Sequence, residues 1–287
     1  MHPVRKIFDT NDAFPFSFAY KNTKSSQSEL PDHFHEWYEI VYVYRGKGTF
    51  FIDHTFYDMK QGDLFLIPGN TIHRANPDKE TPVTSTAVYF SPGMIQAPQL
   101  GDSFSYLKSF EHAARVRHYK LELLLPQRQY LELHLESIQQ ELRQSSPGHR
   151  QAIFLQLLQL LLFLQRDVGS GSMLPAGDTL VGPVWMREIL LFIDQHFCED
   201  IGLATLSKQA AVSPAHFSRV FKQLIGMNIT AYIMTKRIIR AKQLLGESDV
   251  NIRHIAEICG FESLPHFHAM FKRVLGMTPA AARKSIR

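Results

Sequence analysis

His216-Phe217-Ser218-Arg219-Val220-Phe221-Lys222-Gln223-Leu224-Ile225-Gly226-Met227 returns fifty residues later as His266-Phe267-His268-Ala269-Met270-Phe271-Lys272-Arg273-Val274-Leu275-Gly276-Met277. Both copies carry apolar residues at i, i+3, i+4 and i+7: Phe217, Val220, Phe221 and Leu224, then Phe267, Met270, Phe271 and Val274. That spacing puts one apolar stripe on a helix. Gly226 and Gly276 stand where a helix end turns left-handed. Ser213-Pro214 supplies an N-cap followed by a proline in the first turn.

Working outward, a shorter helix is expected before each copy, over Leu203–Ala211 and Ile252–Cys259. Helix, tight turn and second helix is the helix-turn-helix shape, predicted at about 203–225 and 252–275. An amphipathic stretch of roughly 17 residues, Ile229–Leu245, joins them and extends roughly 25 Å as a helix. Its stripe is Met234, Ile238, Ala241 and Leu245. Its cations Lys236, Arg237, Arg240 and Lys242 are expected to meet solvent or phosphate.

These residues resemble the AraC/XylS family of transcription regulators, whose DNA-binding domain joins two helix-turn-helix motifs by one long helix. Tyr232, Arg237, Ala241-Lys242 and Leu244-Leu245 carry the resemblance in the bridge. Ile255-Ala256, Gly260-Phe261, Phe267, Phe271 and Gly276-Met277-Thr278-Pro279 carry it in the second motif. It implies double-stranded DNA, RNA polymerase and a small-molecule effector as partners, and no catalysis.

The two reading faces differ. The first offers Ala215, His216, Ser218, Arg219 and Lys222. Arg219 suits a bidentate guanine contact, with a phosphate contact as the competing reading. The second offers Leu264, Pro265, His268, Ala269, Lys272 and Arg273, with Ala269 in the place of Arg219. Alanine and leucine reach only a thymine methyl, so base readout is expected mainly from the first motif. Lys272 and Arg273 are expected on phosphates.

At 287 residues the chain has length for two domains. The net charge of +4 is unevenly placed: from Gly182 onward 14 Lys and Arg face 8 Asp and Glu, against 17 and 19 before it. A basic rear on a slightly acidic front fits a nucleic-acid module joined to a sensor. Two cysteines without a pairing signature fit a reducing cytoplasm. The apolar run Ile153–Leu164 is too short for a membrane span.

The expected fold class is α+β in two domains: a β-barrel with flanking helices, then an all-α domain. Residues 1–25 read as an arm whose aromatics lie across the next domain. Residues 26–167 read as a sensor, with a helical dimerisation segment at about 121–167. The Gly/Ser-rich stretch 168–181 reads as a linker, and 182–287 as the DNA-binding domain. Strands are expected over 33–46, 49–52, 55–59, 63–67 and 85–90, punctuated by Asp53-His54, Lys60-Gln61-Gly62 and Pro68-Gly69-Asn70. Such closely spaced short strands suit a small double-sheet barrel. The leucine-rich helix after Gly148 needs apolar partners on several sides; core packing and a homodimer contact both supply them.

His33, His35, Glu39 and Gly46 fit the spacing His-x-His-x3-Glu-x6-Gly, and Gly62, Pro68 and His73 fit a second element. Together these resemble the two cupin motifs, although no glycine precedes His33 by six residues and Asn70 replaces a usual glycine. In cupin enzymes three histidines and a glutamate hold a divalent metal. Two readings follow: His33, His35, Glu39 and His73 as metal ligands, or as polar lining of an effector pocket with Trp37, Tyr42 and Arg74. The reading adopted from the sequence is the second, with no metal or cofactor and with a sugar or related metabolite as effector. The alternative is a metal-dependent cupin isomerase or oxygenase carrying a DNA-binding domain.

Overall fold

A computed structural model describes residues 4–8, 13–24, 33–95, 104–168 and 183–286. The linker expected at 168–181 falls, beyond Val168, outside the described residues, as do parts of the arm. In chain order the strands are β1 (Val4–Arg5), β2 (Phe16–Lys24), β3 (His33–Phe34), β4 (Tyr38–Arg45), β5 (Gly48–Ile52), β6 (Thr55–Met59), β7 (Asp63–Ile67), β8 (His73–Pro77), β9 (Val83–Phe90) and β10 (Lys120–Glu122). The helices are α1 (Lys108–Val116), α2 (Leu125–Gln144), α3 (His149–Phe163), α4 (Val184–His196), α5 (Leu203–Gln209), α6 (Pro214–Ile225), α7 (Ile229–Glu247), α8 (Ile252–Ile258), α9 (Leu264–Leu275) and α10 (Pro279–Ile286).

The strands form two sheets of five, ordered β1-β3-β8-β5-β6 and β10-β7-β4-β9-β2. This is the double-sheet barrel expected of a cupin-like domain. Period-two alternation sets its cores. On β4, Val41 and Val43 point between the sheets with Phe65 and Ile67 of β7. Ile40 and Tyr42 point the other way, joining Leu64, Leu66 and the α2 and α3 leucines Leu131, Leu135, Leu157 and Leu160. Thus β7 is buried on both faces, and α3 finds apolar partners in the sheet and in α2.

Two expectations are corrected. Phe16–Lys24, read as an arm, is a nine-residue edge strand paired antiparallel with β9. Its aromatics lie along the sheet because the strand's backbone donors are satisfied there. The single strand expected over 33–46 breaks at 35–37 into β3 and β4, which belong to different sheets.

In the C-terminal domain the repeat becomes a duplicated fold. Ser213 and Ser263 accept from the backbone N–H of His216 and His266, capping α6 and α9. Gly226 (φ 85°) and Gly276 (φ 73°) end the same helices in the left-handed region. Phe217, Phe221, Phe267 and Phe271 are fully buried. Deleting one such ring costs about 3–5 kcal/mol. Asn228 and Asn251 cap α7 and α8 in the same manner.

The domains share a core. Phe51 faces outward from β5, opposite to Phe50 and Ile52, and joins Phe34 and Ile72 in the apolar cluster of the helical domain. One sheet of the barrel is therefore docked on α7.

Candidate functional site

The reading helices present most of their expected residues to solvent. Ala215, His216, Arg219 and Lys222 are exposed on α6, and Ser218 is half-buried. Arg219 lies along its own helix, its Nη2 3.2 Å from His216 Nδ1. On α9, Pro265, Ala269, Lys272 and Arg273 are exposed, with Leu264 and His268 half-buried. Their buried faces hold Phe217, Phe221 and Ile225 on α6 and Phe267, Met270, Phe271, Val274 and Leu275 on α9, so the exposed residues lie on the opposite faces.

Three of the four α7 cations behave otherwise, and for them the expectation that they meet solvent or phosphate is corrected; Arg240 keeps 43% of its side chain exposed. Lys236, Arg237 and Lys242 are buried. Arg237 donates to three main-chain carbonyls, of Phe197 at 2.6 Å, Glu199 at 2.6 Å and Gly260 at 2.5 Å, which ties three segments of its own domain together. Lys236 Nζ reaches across the domain boundary to Asp53 at 2.7 Å and also pairs with Asp194 at 2.6 Å. Tyr232 Oη donates to the Asp53 carbonyl at 2.5 Å. Lys242 Nζ and Arg5 Nη2 both meet Glu36 Oε1, at 2.5 and 2.6 Å. Arg5 also donates to the Leu275 carbonyl at the end of α9. A helix enclosed on most sides has no solvent for its charges, so each is compensated by a carboxylate or carbonyl.

This joint was not legible in the sequence. Asp53 read as turn punctuation, and it does sit at φ 59° in the β5–β6 turn. Burial would raise its carboxyl, but Lys236 and the hydrogen-bonded His54 outweigh burial and hold it far below the usual carboxylate range. Burial would lower the Lys236 ammonium, but Asp53 and Asp194 hold it above its ordinary value.

Inside the barrel the residues expected at the pocket separate into two groups. His33, His35, Glu39 and His73 converge, with 6%, 1%, 3% and 1% of their surfaces exposed. His33 and His73 are register partners on β3 and β8, which accounts for their contact across thirty-nine residues of chain. His35 Nε2 and His73 Nε2 each lie 3.0 Å from Glu39 Oε2. Burial would raise the Glu39 carboxyl, but the two histidines bring it well below its ordinary value. Burial likewise lowers His35. Trp37 lies beside this group, stacked at 4.3 Å and 7° on Phe8 of the arm.

Tyr42 and Arg74 do not belong to this pocket. Tyr42 points from the opposite face of β4, where its hydroxyl donates to Glu132 at 2.5 Å. Arg74 follows His73 on β8 and pairs in register with Phe51, whose side chain faces the helical domain. Strand parity excludes both.

The arm, not foreseen as part of the site, closes it. β1 pairs in parallel with β3. Lys6 lines the cavity and its Nζ lies 3.6 Å from the Tyr89 ring centroid. The space left beside His33, Glu39 and His73 is about 60 Å3. Pockets for metabolites run to roughly 300–1,000 Å3.

The donor set fits a metal ion on chemical grounds. His35 Nδ1 meets the Trp37 carbonyl at 2.8 Å and His73 Nδ1 the Thr71 carbonyl at 2.9 Å. A carbonyl only accepts, so each Nδ1 carries the proton and each Nε2 is turned toward Glu39. Hydrogen-bonded orientation of this kind is what metal-bound histidines show. His73 Nε2 is buried and lacks a hydrogen-bond partner of good geometry.

Comparison with known proteins bears on both domains. Residues 16–158 match the family described as an AraC-like ligand binding domain, and residues 206–285 match a helix-turn-helix domain. The chain is similar to the HTH-type transcriptional activator RhaS of Citrobacter koseri, 24% identical over 259 residues, covering 90% of this chain and 89% of that protein. It is similar to ToxT from Vibrio cholerae, 11% identical, covering 94% of this chain and 98% of that one, with a TM-score of 0.36. It also resembles the C-terminal domain of the response regulator yesN from Fusobacterium nucleatum, 30% identical over 34% of this chain and 95% of that one, with a TM-score of 0.33. An enclosed polar pocket in a sensor barrel, followed by a paired helix-turn-helix with open reading faces, agrees with the family matches along the chain. The chain belongs to the AraC/XylS family of ligand-responsive, DNA-binding transcription regulators.

Proposed function

We propose that the chain activates genes for the uptake or breakdown of a carbohydrate or related metabolite, which it senses in the barrel and answers at DNA and RNA polymerase. The observation that carries this reading is the division of faces in the helical domain. Its docking side is committed to the sensor, while Arg219, Lys222, Lys272 and Arg273 remain open for the duplex. At 19 residues, α7 is about 28 Å long, near the roughly 34 Å spacing of successive major grooves. Arg219 serves in base recognition, aided by Ala215, His216, Ser218 and Lys222. Leu264, Pro265, His268 and Ala269 supply shape contacts, and Lys272 and Arg273 phosphate contacts. The activator of Citrobacter koseri is so named over nearly the whole length of the match, which supports activation over repression.

The effector occupies the space between His33, His35, Glu39, His73 and Trp37, taking the place of Phe8 on the indole. A pyranose face stacks on an indole as Phe8 does, and its hydroxyls meet imidazole and carboxylate. The regulator works in the cytoplasm as a homodimer through α2 and α3, where Leu133 and Leu155 are 65% and 60% exposed. Among the described residues no helix is long and apolar enough to cross a membrane. The pocket serves recognition and not turnover.

The test is a mobility-shift series on DNA upstream of the chain's own gene and its neighbours, with a panel of monosaccharides, read alongside intrinsic fluorescence. A sugar that perturbs the emission of the wild type but not of Trp37→Phe, and that alters DNA affinity, is expected. A panel that alters neither sinks the carbohydrate reading.

A further inference from the structure

We propose that a cleft on the outer rim of the barrel binds a phosphate monoester of a small metabolite through Arg45, Lys47 and Lys60. This site lies outside the barrel cavity, goes beyond the effector reading given above and does not rest on it.

The cleft forms where separate turns of the barrel meet. β4 ends at Arg45, the turn into β5 carries Gly46 and Lys47, the turn between β6 and β7 carries Lys60 and Gln61, and Thr81-Pro82 leads into β9. Its volume is about 510 Å3, against about 60 Å3 beside His33 and His73. Metabolite sites span roughly 300–1,000 Å3. Strand parity separates the two spaces. Val83 and Ser85 line the barrel cavity, so Thr84 between them turns outward, beside its register partners Thr23 and Arg45. The backbone around the cleft is held in place. The Lys47 N–H donates to the Thr81 carbonyl at 2.9 Å, and the Asp78 N–H donates to the Lys47 carbonyl at 2.8 Å. Gly46 stands at φ 93°, with the Pro82 carbonyl where a side chain would lie.

The charges select the ligand. Arg45 Nε donates to the buried Thr84 hydroxyl at 3.1 Å, which in turn lies 2.8 Å from the Thr23 hydroxyl. That bond orients the guanidinium and leaves both Nη groups for a ligand. Among the described residues no carboxylate pairs with Arg45 or Lys47, and both side chains are exposed. A guanidinium fork takes two oxygens of one phosphate, and an ammonium meets the third as a point charge. The acids nearby are engaged elsewhere. Asp78 Oδ1 accepts from the backbone of Glu80 and Thr81 and from the Thr81 hydroxyl. Glu122 meets Lys60 at 2.9 Å, but both are more than half exposed, and a pair so solvated is weak. Arg128 packs its guanidinium on the backbone of Gly62 and adds positive charge beside Lys60. Arg45, Lys47, Lys60 and Arg128 thus stand against Asp78 and Glu122, a surplus of two positive charges. A phosphate monoester carries close to two negative charges near neutral pH. It matches this surplus better than a neutral sugar or a single carboxylate does.

The test is calorimetry on the full-length chain with glucose 6-phosphate, glucose, inorganic phosphate and citrate as probes. Saturable binding of one equivalent of glucose 6-phosphate is expected, weakened by added salt, with inorganic phosphate and citrate each roughly tenfold weaker. Arg45→Gln and Lys47→Gln should each weaken the ester roughly tenfold, while Arg143→Gln, on the exposed end of α2, should not. Circular dichroism confirms that the variants fold. Absence of saturable ester binding overturns the proposal, and so does binding that neither cleft variant weakens. Citrate or inorganic phosphate binding as tightly as the ester overturns the phosphate-monoester assignment. Loss of DNA affinity in Arg45→Gln without any ester binding would give these cations to the DNA backbone and overturn the cleft. Each of these failures leaves the barrel reading standing, because that reading is tested with uncharged monosaccharides and Trp37.

Discussion

Replacing Lys236 by methionine tests the joint between the two domains. Lys236 Nζ lies 2.7 Å from Asp53 and 2.6 Å from Asp194, with 9% of its side chain exposed. Methionine keeps much of the stem and removes the charge. Removing one member of a buried ion pair costs about 3–5 kcal/mol, because the other charge stays buried and unpaired. Here Asp53 retains His54 at 2.9 Å and Tyr119 at 3.4 Å, and Asp194 retains Arg117. The lower end, about 3 kcal/mol, is therefore expected, which is roughly a 150-fold shift toward the undocked arrangement. Hydrogen exchange on the full chain reads it: amides around Phe51–His54 and Tyr232–Lys236 should exchange faster, while the buried turns of α6 and α9 keep their protection. Asp53→Asn and the double variant complete a cycle, in which the double should cost less than the two singles added. The sign with pH follows from the carboxyl. A folded-state value far below the unfolded one stabilises fully above the unfolded value near pH 4, and that stability is lost as pH falls further. A change under about 1 kcal/mol in Lys236→Met, or strict additivity in the cycle, would refute the reasoning.

Arg237→Lys should cost about 2 kcal/mol in urea denaturation, because a lysine cannot fork to the carbonyls of Phe197, Glu199 and Gly260; full retention of stability would show that water replaces those bonds. Burial and the nearby Cys198 push the Cys259 thiol up to about 12, so in native protein near neutral pH it should resist alkylation that proceeds readily in denaturant; rapid native labelling would contradict the packing around α8. Arg219→Ala should flatten base preference by about 1–3 kcal/mol at one or two positions, whereas Lys272→Ala should weaken all sequences alike and reduce the salt slope by about 1. An unchanged slope removes Lys272 from the phosphate contacts.

The two domains were legible for different reasons. A repeat at a fixed offset, with phenylalanines at helical spacing and glycines at both ends, depends only on local geometry, so α6 and α9 follow from the residues alone. The histidine group was legible from the spacing of His33, His35, Glu39 and His73 alone; strand parity did not align them, because β3 and β4 belong to different sheets and the pairing of β3 with β8 is what brings His33 to His73. Parity excluded Tyr42 and Arg74, but only once the register was known. The edge strand β2 escaped because its aromatics run on consecutive alternate positions without a polar turn to mark where it pairs. Its register partners on β9 run from Lys24 with Val83 to Phe16 with Phe90, far along the chain.

The sequence by itself determined the duplicated reader, most of the short barrel strands and the identity of the polar cluster, since capping, period and turn chemistry act over a few residues. Only the tertiary structure decided what the charges of α7 and the short arm do. Lys236 and Lys242 look like solvated cations until Asp53 and Glu36 arrive from another domain. Phe8 looks like a loose aromatic until it lies on Trp37. Long-range partners set both outcomes, because a charge or a ring takes its role from what excludes water around it.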